Sequence, residues 1–213
     1  MTVEKMTVET RILVTGFGSF PGVPHNPCID IINHIQSHSL YVAGNIQTLV
    51  LPVSYSQSTD VLDTAIAQWA PDGIIELGVS RRAEGLKLES TAHNLRNARI
   101  PDVDGIHCIN QSITEDSPIN STKQSTLPLL DIVEGLTRMT ENTVKVQHST
   151  DPGRYVCNNI YWHTMQVYPQ IPSVFVHIPM LTTENSTSVK NGVLKVLDAI
   201  IQCVESTSGP LKV

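Results

Sequence analysis

Short apolar runs alternate with amphipathic stretches along most of the chain. Residues 11–17 (RILVTGF) are mainly apolar and pass through a glycine near their end, the pattern of a buried strand feeding a turn. Asn26-Pro27 then marks a helix start, asparagine as the cap and proline at the first helical position. Ile31, Ile32 and Ile35 follow at helical spacing up to about Ser37. Residues 45–51 (NIQTLVL) return to strand character until Pro52. Val61, Leu62, Ala65, Ile66 and Trp69 form one helical face, which Pro71-Asp72-Gly73 ends. Residues 73–79 make a third strand, and residues 86–91 alternate as a fourth. The stretch 97–128 is rich in Pro, Asn, Ser and Asp with little periodicity and reads as a long functional loop. Residues 128–139 then pattern as a helix, 143–148 as a strand, 153–167 as a helix and 173–178 as a strand. A last amphipathic helix runs from about 186 to 204, with Val189, Val193, Val196, Leu197, Ile200 and Ile201 as its buried stripe.

Strands alternating with helices predict an α/β fold: a single-domain three-layer α/β/α sandwich whose mixed, mostly parallel sheet is covered on both faces. A length of 213 residues with 40 % hydrophobic content suits one such domain, residues 10–213. Residues 1–9, where MTVE occurs at both Met1 and Met6, are expected to be a flexible leader.

Charge narrows the function. Only 16 % of residues are charged and the net charge is -6, so no basic stripe is available to neutralise phosphates and no nucleic-acid partner is expected. The apolar runs are far shorter than the roughly 20 residues of a membrane helix, and the first ten residues lack the apolar core of a signal peptide. No membrane association is expected, and the cytoplasm is the expected location. Cys28, Cys108, Cys157 and Cys203 are scattered without a CxxC pair, which suggests free thiols and neither a zinc cage nor a disulfide framework.

In open α/β sheets, sites form where strands exit on their carboxyl side. Cys157 falls one turn into the helix expected after strand 143–148, behind the turn-rich Ser149-Thr-Asp-Pro-Gly153. Free amides and the positive helix end there would lower a thiol pKa and hold an oxyanion. The competing reading is a small buried hydrophobe. His177 lies near the exit of strand 173–178, where adjacent parallel strands would bring it near Cys157. Strand alternation equally allows a hydrogen-bonded core histidine. A nucleophile and a base on neighbouring connections form a more specific pattern than either alone. A third group must orient the imidazole; Glu89, Glu76 and Asp151 all compete for that role, and periodicity does not choose among them.

Several motifs occur in order: RILVTGFGSF with Asn26-Pro27, LVLPVSY, LGVS through LESTAHN to ARIPDVDG, DPGRYVCNN, and VFVHIP. Together they resemble the pyroglutamyl peptidase I, or pyrrolidone-carboxylate peptidase, family from Arg11 to about Ala199. The GVS, AHN and PGRY steps are closer to its eukaryotic branch. The resemblance implies a metal-independent, cofactor-free cysteine peptidase with Cys157, His177 and Glu89 as catalytic residues. Its substrates would be peptides blocked by an N-terminal pyroglutamate. By family position Phe17, Phe20, Val53, Ile100, Tyr155 and Val156 would line the lactam pocket, and Arg99 with the Cys157 amide would steady the oxyanion. Several family members associate with copies of themselves, so a homo-oligomer is compatible with the resemblance. Ser90 and the run Val79-Ser-Arg-Arg-Ala83 depart from many bacterial relatives, which bears on the pocket rim. Two rivals remain. A dinucleotide site would start at Gly16-Phe-Gly18, but Pro21 takes the place of the third glycine. An inactive peptide-binding or scaffold protein of the same fold is the other.

Overall fold

The computed structural model describes residues 10–138 and 144–207. The expected leader, residues 1–9, lies outside them. The chain opens with β1 (Ile12–Phe17), α1 (Pro27–Gln36), the single turn α2 (Ser39–Val42) and β2 (Ile46–Leu51). It continues through α3 (Gln57–Trp69), β3 (Gly73–Val79), β4 (Leu86–Glu89), β5 (Thr91–His93) and β6 (Thr122–Gln124). The last part holds α4 (Leu129–Arg138), β7 (Val146–Ser149), α5 (Val156–Val167), β8 (Ser173–Ile178) and α6 (Ser186–Thr207). Six strands form one sheet in the order β2-β1-β3-β8-β4-β7, and β5 pairs with β6 in a separate ribbon. The pairs β2-β1, β1-β3 and β3-β8 are parallel, and β4 runs antiparallel to β8 but parallel to β7. The sheet is therefore mixed and mostly parallel, as its sequence pattern predicts.

Strand alternation divides the interior into two cores. Ile12, Val14, Ile75, Leu77, Val174 and Val176 face one way, beneath Ile31 of α1, Ile132 of α4 and Val196 of α6. Leu13, Phe17, Ile74 and Phe175 face the other, beneath Leu62 of α3 and Ile160 and Trp162 of α5. These are the layers of an α/β/α sandwich. Each fully buried aliphatic side chain such as Ile160 contributes about 2 kcal/mol relative to exposure.

Local chemistry sets several boundaries. Asn26, extended at φ -84 and ψ 121, accepts from the Cys28 amide at 3.1 Å and donates through Nδ2 to Gly18 O at 2.9 Å, so it caps α1 and ties it to the exit of β1. Ala70 ends α3 in the left-handed region at φ 48. The irregular stretch is held by side chains: Asn94 donates to Thr114 O, Ser117 O and Pro118 O and accepts from the amides of Ile113 and Thr114. Asp102, 3 % exposed, accepts from the amides of Tyr55, Asp104 and Ile106.

Two expectations are corrected here. The helix expected from residue 153 starts at Val156, because Gly153 sits at φ 77 and residues 151–155 are irregular. Cys157 is thus the second helical residue rather than one turn inside. The strand that precedes α5, β7, is also not a neighbour of β8; β4 lies between them, antiparallel to β8.

Candidate active site

Register places five residues on one face of the sheet. Gly78 of β3 lies beside His177 of β8, Glu76 beside Phe175, and Glu89 of β4 opposite Phe175. His177 Nδ1 and Glu89 Oε1 are 2.9 Å apart, with the two residues 7 % and 0 % exposed. The Phe175 ring backs the imidazole at a centroid distance of 4.9 Å. With Nδ1 committed to a carboxylate, Nε2 is the nitrogen available to a nucleophile.

Cys157 enters from above this face. Its Sγ lies 3.0 Å from the point where a Cβ on Gly78 would sit, and Gly78 is the register partner of His177. The thiol therefore rests over the bare backbone of the residue paired with His177, a place only glycine leaves open. α5, crossing back over the sheet, carries Cys157 to β3, the neighbour of β8, across a strand order that separates β7 from β8.

The start of α5 is pinned by its neighbours. Asn158 accepts from the His93 amide at 2.9 Å and donates to His93 O at 2.8 Å and Leu95 O at 3.0 Å. The Tyr155 hydroxyl donates to Pro101 O at 2.9 Å, and the buried Tyr161 hydroxyl donates to Glu89 O at 2.7 Å. The first amides of the helix have no acceptor within it and face the region of the thiol.

The expected lowering of the thiol pKa is reversed. Burial pushes the Cys157 thiol up, and negative charge at Cys28, Glu76 or Glu89 acts in the same direction, while its own amide pulls the other way. Burial outweighs the helix start, so the group carries its proton until a base removes it.

Among the three competing carboxylates, only Glu89 contacts His177. Asp151 is exposed and paired with Arg154 at 2.5 Å. Glu76 is 1 % exposed and accepts from the Thr164 hydroxyl at 2.6 Å; burial pushes its carboxyl up to about 8. Tyr161, Thr164 and Asn158 were not singled out in the sequence, where they occupy ordinary helix positions. Their i, i+3 and i+4 spacing from Cys157 and Tyr161 was the available signal.

Phe17, Val53 and Val156 are buried in the cluster that Cys157 borders, with Phe20 and Tyr155 packed against it. Ile100 is 42 % exposed and stands outside that cluster. Arg99 is exposed on the loop that Tyr155 anchors, and among the described residues no hydrogen bond or ion pair holds it. Arg81 donates to Gly22 O, closing the exit of β3 against the segment carrying Phe20. Ser90 donates to Ser149 O at 3.3 Å, away from His177. Among the described residues no group of three or more His, Cys, Asp or Glu side chains has metal-binding geometry. No helix among them is long and apolar enough to cross a membrane.

A family model described as pyroglutamyl peptidase matches residues 10–207. The chain belongs to the pyroglutamyl peptidase family. A pyrrolidone-carboxylate peptidase of Streptococcus suis is 31 % identical over 176 residues, covering 80 % of this chain and 78 % of the relative. The pyrrolidone carboxyl peptidase of Fervidobacterium islandicum superposes with a TM-score of 0.79 at 25 % identity, covering 91 % of this chain and 99 % of that one. Pyroglutamyl peptidase I of Bacillus amyloliquefaciens shares the fold, with a TM-score of 0.79 at 24 % identity over 92 % and 97 % of the two chains. As a pyroglutamyl peptidase the chain is a cysteine peptidase, a hydrolase with pyroglutamyl peptidase activity.

Proposed function

We propose that Cys157, His177 and Glu89 carry this activity as nucleophile, base and orienting carboxylate, on peptides that begin with pyroglutamate. The observation that carries the assignment is the buried His177–Glu89 pair at 2.9 Å beside a thiol seated over Gly78. Cys157 Sγ attacks the carbonyl carbon of the amide that follows pyroglutamate while its proton passes to His177 Nε2. The opening amides of α5 receive the developing oxyanion, and Arg99 adds charge from the facing loop. His177 then delivers the proton to the leaving nitrogen, the C–N bond breaks and a thioester remains. Water attacks that thioester as His177 removes its proton, and the proton returns to sulfur as free pyroglutamate leaves.

The lactam is neutral, flat and compact. Phe17, Phe20, Val53, Tyr155 and Val156 supply apolar walls, and Ile100 on the exposed loop contributes by closing over the ring. No step calls for a metal or cofactor. The four unpaired thiols fit a reducing cytoplasm, and the acidic surface offers nothing to nucleic acid or an anionic membrane.

Release of a fluorescent amine from a pyroglutamyl amide tests the assignment. Wild type should release it with or without a chelator, and Cys157→Ala should lose at least ~10³-fold in kcat/KM while keeping its circular dichroism. A Cys157→Ala enzyme at wild-type rate would sink it.

A further inference from the structure

One buried ionisable group near the thiol has no part in the proposed mechanism. Glu76 of β3 is 1 % exposed, and its carboxyl reaches Thr164 of α5 across the core. Gly78, over which the Cys157 thiol is seated, follows it by two residues on the same face, about 7 Å along the strand. We propose that Glu76 is a positioning residue that governs Cys157 through its own ionisation: neutral, it leaves the thiol proton to His177, and ionised, it opposes that transfer and closes the enzyme on the alkaline side. This role rests on Cys157 being the nucleophile.

The surroundings keep Glu76 neutral. Glu89, the other carboxyl in register with Phe175, has His177 at 2.9 Å, whereas among the described residues no Lys, Arg or His pairs with Glu76. The Thr164 hydroxyl lies 2.6 Å from Glu76 Oε1 and 3.1 Å from Ile160 O, so one proton serves two acceptors. Glu76 Oε2 is buried without a partner among the described residues. A carboxylate here would share a single hydrogen bond and face no cation, which favours the neutral acid. Burial accordingly pushes the carboxyl from its ordinary 4.5 up to about 8, with the Thr164 contact pulling the other way.

The ionisable groups around Glu76 come from several elements. α5 presents Cys157 and Tyr161, β8 presents His177 and β4 presents Glu89. Tyr55, Cys108 and Tyr155 share the cluster from the flanking segments, Asp63 of α3 turns to His163 and Tyr168, and β1 brings no ionisable group. Burial raises both the Cys157 thiol and the Tyr161 hydroxyl, and negative charge at Glu76 raises them further. Of the two, only the thiol must lose its proton in turnover. That proton passes to His177, whose contacts are with Glu89 and the Phe175 ring rather than with Glu76. Above about pH 8 Glu76 yields its proton to solvent, and its charge then opposes the negative charge developing on sulfur. The triad by itself gives the opposite trend, since rising pH frees His177 to act as a base. A fall on the alkaline side is therefore the mark of Glu76.

The test is the pH profile of kcat/KM on a pyroglutamyl amide at constant temperature and ionic strength, with tryptophan fluorescence checking the fold at each pH. Wild type should fall about fivefold or more from about pH 7 to about pH 9.5, with a midpoint of about 8. Glu76→Gln should fall by less than about twofold over the same range. Thr164→Val, which removes the donor to the ionised form, should move the midpoint up by about half a unit or more; it keeps the test valid if Glu76→Gln fails to fold. Alkylation of Cys157 by iodoacetamide, mapped by mass spectrometry, reads the thiol without substrate. Between the same two pH values its rate should rise about threefold more in Glu76→Gln than in wild type. If folded wild type does not turn over the amide at all, the pyroglutamyl reading fails and alkylation alone decides. An alkaline midpoint and an alkylation ratio that neither variant moves overturn the role of Glu76, as does a wild-type rate that stays level through about pH 9.5.

Discussion

Glu89 meets His177 with one oxygen, while its other oxygen is buried with no partner. A carboxylate kept in so dry a place is costly unless its charge is used, and in the proposed mechanism its use is to orient the imidazole. Glu89→Gln preserves the shape and removes the charge; kcat should fall about 10²- to 10⁴-fold with the fold retained, measured on the pyroglutamyl amide. Glu76, on the same face, has a different role. Its carboxyl ordinarily titrates at 4.5 but is pushed up to about 8 by burial, so the fold resists its ionisation. The contribution to stability is complete below 4.5 and is lost as pH rises through about 8. Glu76→Gln keeps an acceptor for Thr164 and should flatten the fall in melting temperature between those limits. Parallel curves for the two proteins would show that Glu76 is not the titrating group. Neither role is legible in sequence, where Glu76 and Glu89 are both single acids in apolar strands; only the register that sets Glu89 against β8 separates them.

At the scale of elements, the site depends on α5 lying close to the sheet at Gly78. A methyl group there would sit 2.6 Å from Phe175 Cζ and 3.0 Å from Cys157 Sγ. Gly78→Ala should therefore displace the thiol or the ring and lower kcat/KM at least tenfold, with a stability loss of about 1–3 kcal/mol by denaturant titration. Full activity in that variant would mean the thiol is not seated there. Elements with strong local signals follow their sequence pattern: β1, β3 and β8 are continuous apolar runs, and Asn26-Pro27 caps α1 as expected. The start of α5 was misplaced because helix-forming residues follow Gly153, whose positive φ is a property of the fold. The pairing of β6 with β5 joins residues about thirty positions apart and has no local signature in a stretch without periodicity. Strand order is a tertiary property as well: β4 stands between β7 and β8, so the strands leading to Cys157 and His177 are not the neighbours their sequence pattern suggests, and it is α5 that carries Cys157 over Gly78, the register partner of His177.

For the molecule as a whole, two cores share the two faces of one sheet, so neither can melt while the other keeps its strands. Unfolding should be a single transition, coincident by fluorescence and circular dichroism. The four thiols divide by burial: Cys28 and Cys108 are enclosed, and Cys157 and Cys203 are only partly buried. Native labelling should modify the latter two and spare the former, with activity lost in step with Cys157 alone; inactivation that follows Cys203 would contradict this. The central claim is that Cys157 attacks the carbonyl of an N-terminal pyroglutamate, and an affinity label carrying pyroglutamate on a chloromethyl ketone tests it most directly. Complete inactivation by one equivalent, with the adduct mapped by mass spectrometry to Cys157, is the predicted result. Complete inactivation with Cys157 unmodified would contradict it.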